Sequence, residues 1–110
     1  MPPDDSIWLT IRVCADVTGD RSYCLDFEQK LFDDLTTVLL YHDFSKPSLE
    51  RELGRYINAL DEPDLYRYTF EFEAERQAPA STLPFFEDLA QRIANHWGFP
   101  VELHSESVEP

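Results

Sequence analysis

Two stretches of this chain alternate apolar and polar side chains with a strict period of two. Residues 65–75 place Tyr66, Tyr68, Phe70, Phe72 and Ala74 on one side and Arg67, Thr69, Glu71, Glu73 and Glu75 on the other. Residues 6–17 do the same, with Ile7, Leu9, Ile11, Val13, Ala15 and Val17 set against Trp8, Thr10, Arg12, Cys14 and Asp16. Successive side chains of a strand point to opposite faces, so each segment is a strand with one buried and one wet face. A sheet wet on one side is antiparallel or mixed, and its other side must be covered.

The covering layer is sought in the segments of helical period. Residues 48–60 carry Leu49, Leu53, Tyr56, Ile57 and Leu60 on one stripe, with Pro47 suited to a first turn, and predict a helix. Residues 82–97 predict a second, capped by Thr82, with Phe86, Leu89, Ala90, Ile93 and Trp97 inward and Gly98 as its stop. Gly54 lies inside the first of these helices, where glycine costs about 1 kcal/mol relative to alanine. Between Thr18-Gly19-Asp20 and residue 43 the pattern is mixed. Tyr23, Leu25 and Phe27 alternate like the return strand of a hairpin, whereas Phe27, Leu31, Leu35 and Val38 keep helical spacing behind an Asp26/Gln29 capping box. The reading adopted is a short strand at 22–26 and a helix at 27–41. A strand at 36–43 competes, because Thr36-Thr37-Val38 is a β-branched run. Gln77 to Ser81 reads as a loop and Val101–His104 as a last strand, with tails at about 1–5 and 106–110 that fray.

The expected order is therefore β(β)ααβαβ. It describes one α+β domain over 1–110, a two-layer α/β sandwich with three or four strands and helices on one face, broadly ferredoxin-like. The length of 110 residues suits a single core without metal or disulfide support. No internal repeat is present.

Charge sets the expected partners. The chain carries 22 acidic and 9 basic residues, a formal net charge of −13, and is richer in excess carboxylate after residue 60 than before it. Such a field repels nucleic acid and anionic membrane and attracts cationic surfaces. With 8 Phe, 5 Tyr and 2 Trp the acid decorates a folded body rather than a disordered tail. Met1-Pro2-Pro3-Asp4-Asp5 lacks the basic and apolar regions of a signal peptide, and no apolar run reaches the ~20 residues that span a bilayer. The expectation is a cytoplasmic protein with reduced thiols. A hairpin over 6–28 would nonetheless set Cys14 opposite Cys24, within reach of a cross-strand disulfide.

Catalytic and metal signatures are missing from the sequence. There is no GxSxG, P-loop, GxGxxG, HExxH or CxxC, and His42, His96 and His104 are scattered. His96, near a helix C-terminus, suits the helix dipole. No cofactor or metal is expected. Asp61, Glu62 and Asp64 form an acidic loop cluster without calcium-loop spacing, and a helix stop explains them.

What stands out is the wet sheet face: Glu71, Glu73 and Glu75 in a row, with Glu102, His104 and Glu106 from the last strand and Trp8 and Asp16 from the first. The plain reading is a solvated face whose charge prevents edge-to-edge aggregation. The sharper one is a docking surface for Lys and Arg, anchored by Trp8 and joined by the Asp61/Glu62/Asp64 cluster. On that reading the chain is an inhibitor or immunity-type protein covering a basic partner, such as a nuclease toxin, with carboxylates where nucleic-acid phosphates would lie. The alternatives are a structural or regulatory subunit or a homodimer, with Trp8 and Tyr23 forming an apolar patch, and a small enzyme using Glu and His of the sheet face.

Overall fold

A computed structural model describes residues 5–52 and 66–108. The order is β1 (Ser6–Gly19), α1 (Arg21–Tyr41), β2 (Ser48–Glu52), β3 (Tyr66–Pro79), α2 (Leu83–Trp97) and β4 (Val101–Ser107), with a 3-10 turn at Ala80–Thr82. The strands form one antiparallel sheet in the order β2-β3-β1-β4. This is a two-layer α/β sandwich of ferredoxin-like topology. β1 and β3 are the central pair, in register from Ser6↔Pro79 to Gly19↔Tyr66.

The alternation predicts the two central strands correctly. Leu9, Ile11, Val13 and Ala15 of β1 and Tyr68, Phe70, Phe72 and Ala74 of β3 are buried beneath the helices. From above, α1 contributes Cys24, Leu31, Leu35 and Leu39, and α2 contributes Phe86, Leu89, Ala90 and Ile93. Aromatic contacts tie the elements together: Phe32 of α1 meets Phe72 of β3 at 5.7 Å, while Phe44 meets Phe86 of α2 edge-on at 5.6 Å and Phe99 meets Phe27 of α1 edge-on at 5.8 Å.

Three expectations are corrected. First, 22–26 is not a strand; helix α1 runs unbroken from Arg21 through Thr36-Thr37-Val38 to Tyr41, which also removes the competing strand at 36–43. Asp20 is the cap, its carboxylate accepting the Tyr23 N–H at 2.7 Å, so a residue expected in a hairpin turn starts the helix instead. Gly19 precedes it, and a Cβ there would stand 2.5 Å from the Tyr23 ring, which would have to move. Second, Ser48–Glu52 is strand β2 and not the start of a helix. The edge of β3 needs hydrogen-bond partners, and Ser48 Oγ donates to the Glu73 carbonyl (3.4 Å) rather than capping a helix. The remainder of that expected helix, 53–60 with Gly54, lies outside the described residues. Third, Gln77–Pro79 belongs to β3, and β4 continues beyond His104 to Ser107. The order is thus βαββαβ.

Both helix ends are closed by local chemistry. α1 ends in a Schellman arrangement: Phe44 N–H donates to Leu39 O (2.9 Å), Asp43 N–H to Leu40 O (3.0 Å), and Asp43 takes a left-handed φ of 63°. Arg76 of β3 completes this end, donating to the His42 carbonyl at 2.6 Å while its guanidinium lies 4.9 Å above the Phe86 ring. α2 stops at Gly98, with φ of 75° and its N–H on Ala94 O (2.7 Å), as expected. Thr82 flanks α2 at its start, but its hydroxyl donates back to Pro79 O (2.6 Å) instead of accepting a helix N–H.

Candidate functional site: the open face of the sheet

The helices cover one face of the sheet. The other is made by alternate residues of all four strands, and the register fixes which of them stand opposite one another. On β2, Glu50 stands opposite Glu71 and Glu52 opposite Thr69. Trp8 lies between Gln77 and Glu106, Thr10 between Glu75 and His104, Arg12 between Glu73 and Glu102, and Cys14 beside Glu71. Directly opposed side chains in such ladders have Cβ atoms about 5 Å apart, so these are contacts in a two-dimensional lattice. The sequence placed Trp8, Asp16, Glu71, Glu73, Glu75 and Glu102 on this face, and the structure brings them together there. Asp61, Glu62 and Asp64 lie outside the described residues.

The face is not uniformly acidic. Arg12 Nε stands 2.7 Å from Glu71 Oε1, and Arg12 Nη2 is 3.0 Å from Glu73 Oε2. The cause is the parity of the ladder. Cys14 N–H donates to Pro100 O and Val108 N–H to Ser6 O, so even-numbered residues of β1 bond toward β4. Arg12 and Glu73 therefore form a non-hydrogen-bonded pair, the kind in which side chains lie closest. One guanidinium thus serves two carboxylates. The hydrogen bond to Glu73, with the charges of Glu71 and Glu73, raises the Arg12 pKa. Further along, Arg67 Nε donates to both carboxylate oxygens of Asp16 at 3.0 Å. That hydrogen bond holds the Asp16 carboxyl below its ordinary range.

The Trp8 end differs. Among the described residues no ion pair reaches Glu75 or Glu106, and Glu102 has His104 Nε2 at 3.7 Å. Trp8 lies between them and is 38% exposed. The row Glu71-Glu73-Glu75, a single feature in the sequence, is therefore split: Glu71 and Glu73 share the one positive charge of Arg12, and among the described residues no ion pair reaches Glu75. The sequence already singled out Arg12 and Arg67 as the side chains whose pairing with this row would remove the basis for a cation-seeking surface; Arg12 does pair with Glu71 and Glu73, whereas Arg67 pairs with Asp16 instead.

The cysteines do not pair. Cys14 lies on the open face, where burial, helped by Glu71 and Glu102, raises its thiol pKa, while Cys24 is buried on α1 beneath the other face. Tyr23 is likewise on α1, packed over Gly19 at the opposite end of β1 from Trp8, so the two do not form one patch. Among the described residues no group of three His, Cys, Asp or Glu is placed to hold a metal ion, and no helix is long and apolar enough to cross a membrane. Among the described residues the helix layer carries an apolar groove of about 190 Å³ between α1 and α2, lined by Leu35, Val38, Leu89, Ile93 and Trp97 with Arg92 and His96.

No family model and no curated protein matches the chain. Its backbone does resemble parts of larger solved structures. One is a protein from methicillin-resistant Staphylococcus aureus described as an aminohydrolase, 11% identical with a TM-score of 0.47, matched over 96% of this chain and 31% of that one. A Burkholderia cenocepacia protein described as an amidohydrolase or peptidase is 13% identical with a TM-score of 0.39, over 94% and 28%. A hydantoinase/carbamoylase family amidase from Burkholderia ambifaria is 16% identical with a TM-score of 0.31, over 98% and 29%. The chain spans less than a third of the length of these proteins, and likeness this distant says nothing of what it does.

Proposed function

We propose that the chain is an acidic protein-binding module, an inhibitor or immunity-type protein that neutralises a basic partner such as a nuclease toxin. The carboxylates of its open face would take the place of nucleic-acid phosphates. The observation that supports this most is the asymmetry of that face. Among the described residues the two arginines of that face, Arg12 and Arg67, are engaged at one end, and no ion pair reaches Glu75 or Glu106 beside the exposed Trp8 ring at the other. A flat aromatic flanked by carboxylates suits Lys and Arg side chains, through cation–π contact on the ring and Coulomb attraction at its rim. Such an interface forms quickly and weakens with salt.

The test is retention of basic proteins from the source cell on the immobilised chain at low and at high salt, followed by assay of any retained nuclease. The reading expects a basic protein held at low salt, released at high salt, and inhibited by the chain in solution. Absence of any basic protein at low salt, or equal retention by a Glu75→Lys/Glu106→Lys variant, would overturn it.

A second reading, a homodimer or subunit of a larger assembly, is favoured by exposed apolar side chains of the helix layer, Leu40 at 50%, Tyr41 at 82% and Phe85 at 53%. It predicts association that salt does not weaken.

A further inference from the structure

The two edges of the sheet are finished differently. On the β3 side, Ser45 and β2 complete the hydrogen bonding: Ser45 N–H donates to Glu75 O (2.8 Å), and the Glu75 N–H donates to Ser45 Oγ (3.0 Å). On the β1 side the sheet ends at β4, beyond which no strand follows among the described residues. The ladder parity then identifies the open groups. The Val108 N–H to Ser6 O bond (3.1 Å) and the Cys14 N–H to Pro100 O bond (3.2 Å) bracket the β1–β4 register, so Glu102, His104 and Glu106 bond inward. The backbone N–H and C=O groups of Val101, Leu103, Ser105 and Ser107 point outward.

A strand laid on this edge would meet those groups and would face Glu102, His104 and Glu106 across non-hydrogen-bonded pairs, where side chains are closest. Pairing with a second copy is disfavoured. The antiparallel register that uses all of β4 centres on His104 and sets Glu102 of each copy against Glu106 of the other, and like charges directly opposed are destabilising. A cationic strand has the opposite sign at the same two positions.

We infer that β4 is an acceptor edge for an extended basic segment of the partner, which adds as a fifth strand with Lys or Arg opposite Glu102 and Glu106. This rests on the binding role proposed above and specifies how the partner is held. The outward backbone groups supply generic hydrogen bonds, and the alternating carboxylates select for positive charge two strand-repeats apart. The same segment's cationic side chains lie on the open face, next to Glu106 and hence to Trp8.

The probe is a blocked pentapeptide, Lys-Val-Thr-Val-Lys, with Glu-Val-Thr-Val-Glu as control, followed by amide hydrogen exchange of the whole chain. The basic peptide is expected to slow exchange at Leu103, Ser105 and Ser107, which point away from β1 and have no backbone partner among the described residues, and the acidic peptide is expected to leave them unchanged. Ser105→Pro removes one outward N–H while leaving the inward ladder to β1 intact. It should weaken peptide binding at least about tenfold with the thermal midpoint retained, because one edge hydrogen bond and the strand's register are lost together. If the peptide binds, shifts the Trp8 fluorescence and leaves the Leu103 and Ser105 amides unprotected, or if Ser105→Pro binds as the parent does, strand addition is wrong while the acidic-face reading survives. If the basic peptide does not bind at all, both fail. Protection of those amides in a salt-insensitive dimer without peptide would assign the edge to a second copy and overturn the inference.

Discussion

At the Arg67 end of the open face, Asp16, Glu71 and Glu73 are held by Arg67 and Arg12; at the Trp8 end, on the same three strands, Glu75 and Glu106 face solvent without an ion pair among the described residues. The two ends differ in where the guanidinium groups fall. Carboxylates with an internal partner lower the repulsion within the sheet and present little field. Those without one leave the repulsion in place and present a field a cation can relieve. Acidic residues on a surface are therefore not equivalent evidence for binding, and counting them overstates the site.

The comparison can be broken by moving charge between the ends. The largest effect is expected from Glu75→Lys/Glu106→Lys, which should weaken binding to a basic partner by about one to two orders of magnitude at low salt, since a rim charge contributes on the order of 1 kcal/mol and each is reversed. The same double reversal should leave the thermal midpoint unchanged or raised. Calorimetric titration and a thermal melt measure both. Next is Trp8→Ala, for which a loss of about 1–2 kcal/mol of binding is expected if the ring is the anchor, with little change in stability because the ring is partly solvated already. A binding loss confined to the Glu75→Lys/Glu106→Lys variant would make the site purely electrostatic.

The internally paired end should respond in stability instead. Arg12→Gln leaves Glu71, Glu73 and Glu102 repelling one another, so its melting temperature should fall at low salt and approach that of the parent at high salt, where screening acts. Melts across a salt series read this directly. Smallest is the pH effect of Asp16. Its carboxyl titrates below its ordinary range when folded, so the Arg67 pair stabilises the fold above the unfolded carboxylate pKa, and that contribution disappears as pH falls through the lower folded value. Both side chains are about half exposed, so the effect is small. Asp16→Asn should flatten the acid limb of the stability profile slightly and leave binding unaltered.

Much of the fold is legible in the chain, and the failures have physical causes. β1, β3 and α2 follow from clean periodicity with local stops such as Gly98. α1 is obscured because its buried stripe, Cys24, Glu28, Leu31, Leu35 and Leu39, contains a carboxylate where an apolar residue is expected, and because Asp20 serves as cap rather than turn. β2 is obscured because the edge of β3, distant in sequence, determines its conformation. The site fails in the same way. Alternation places every carboxylate on the correct face, but whether each is neutralised depends on a register that sets Arg12 opposite Glu73, 61 residues away.

The claim that free negative charge is concentrated at the Trp8 end can be measured without knowing any partner, by the relaxation that a cationic nitroxide produces in backbone amides, with a neutral nitroxide as reference. The account predicts cation-specific broadening strongest at Trp8, Thr10, Glu75 and Glu106 and weak at Arg12, Asp16 and Arg67. Equal broadening along the whole face, or a maximum at the Arg67 end, would contradict it.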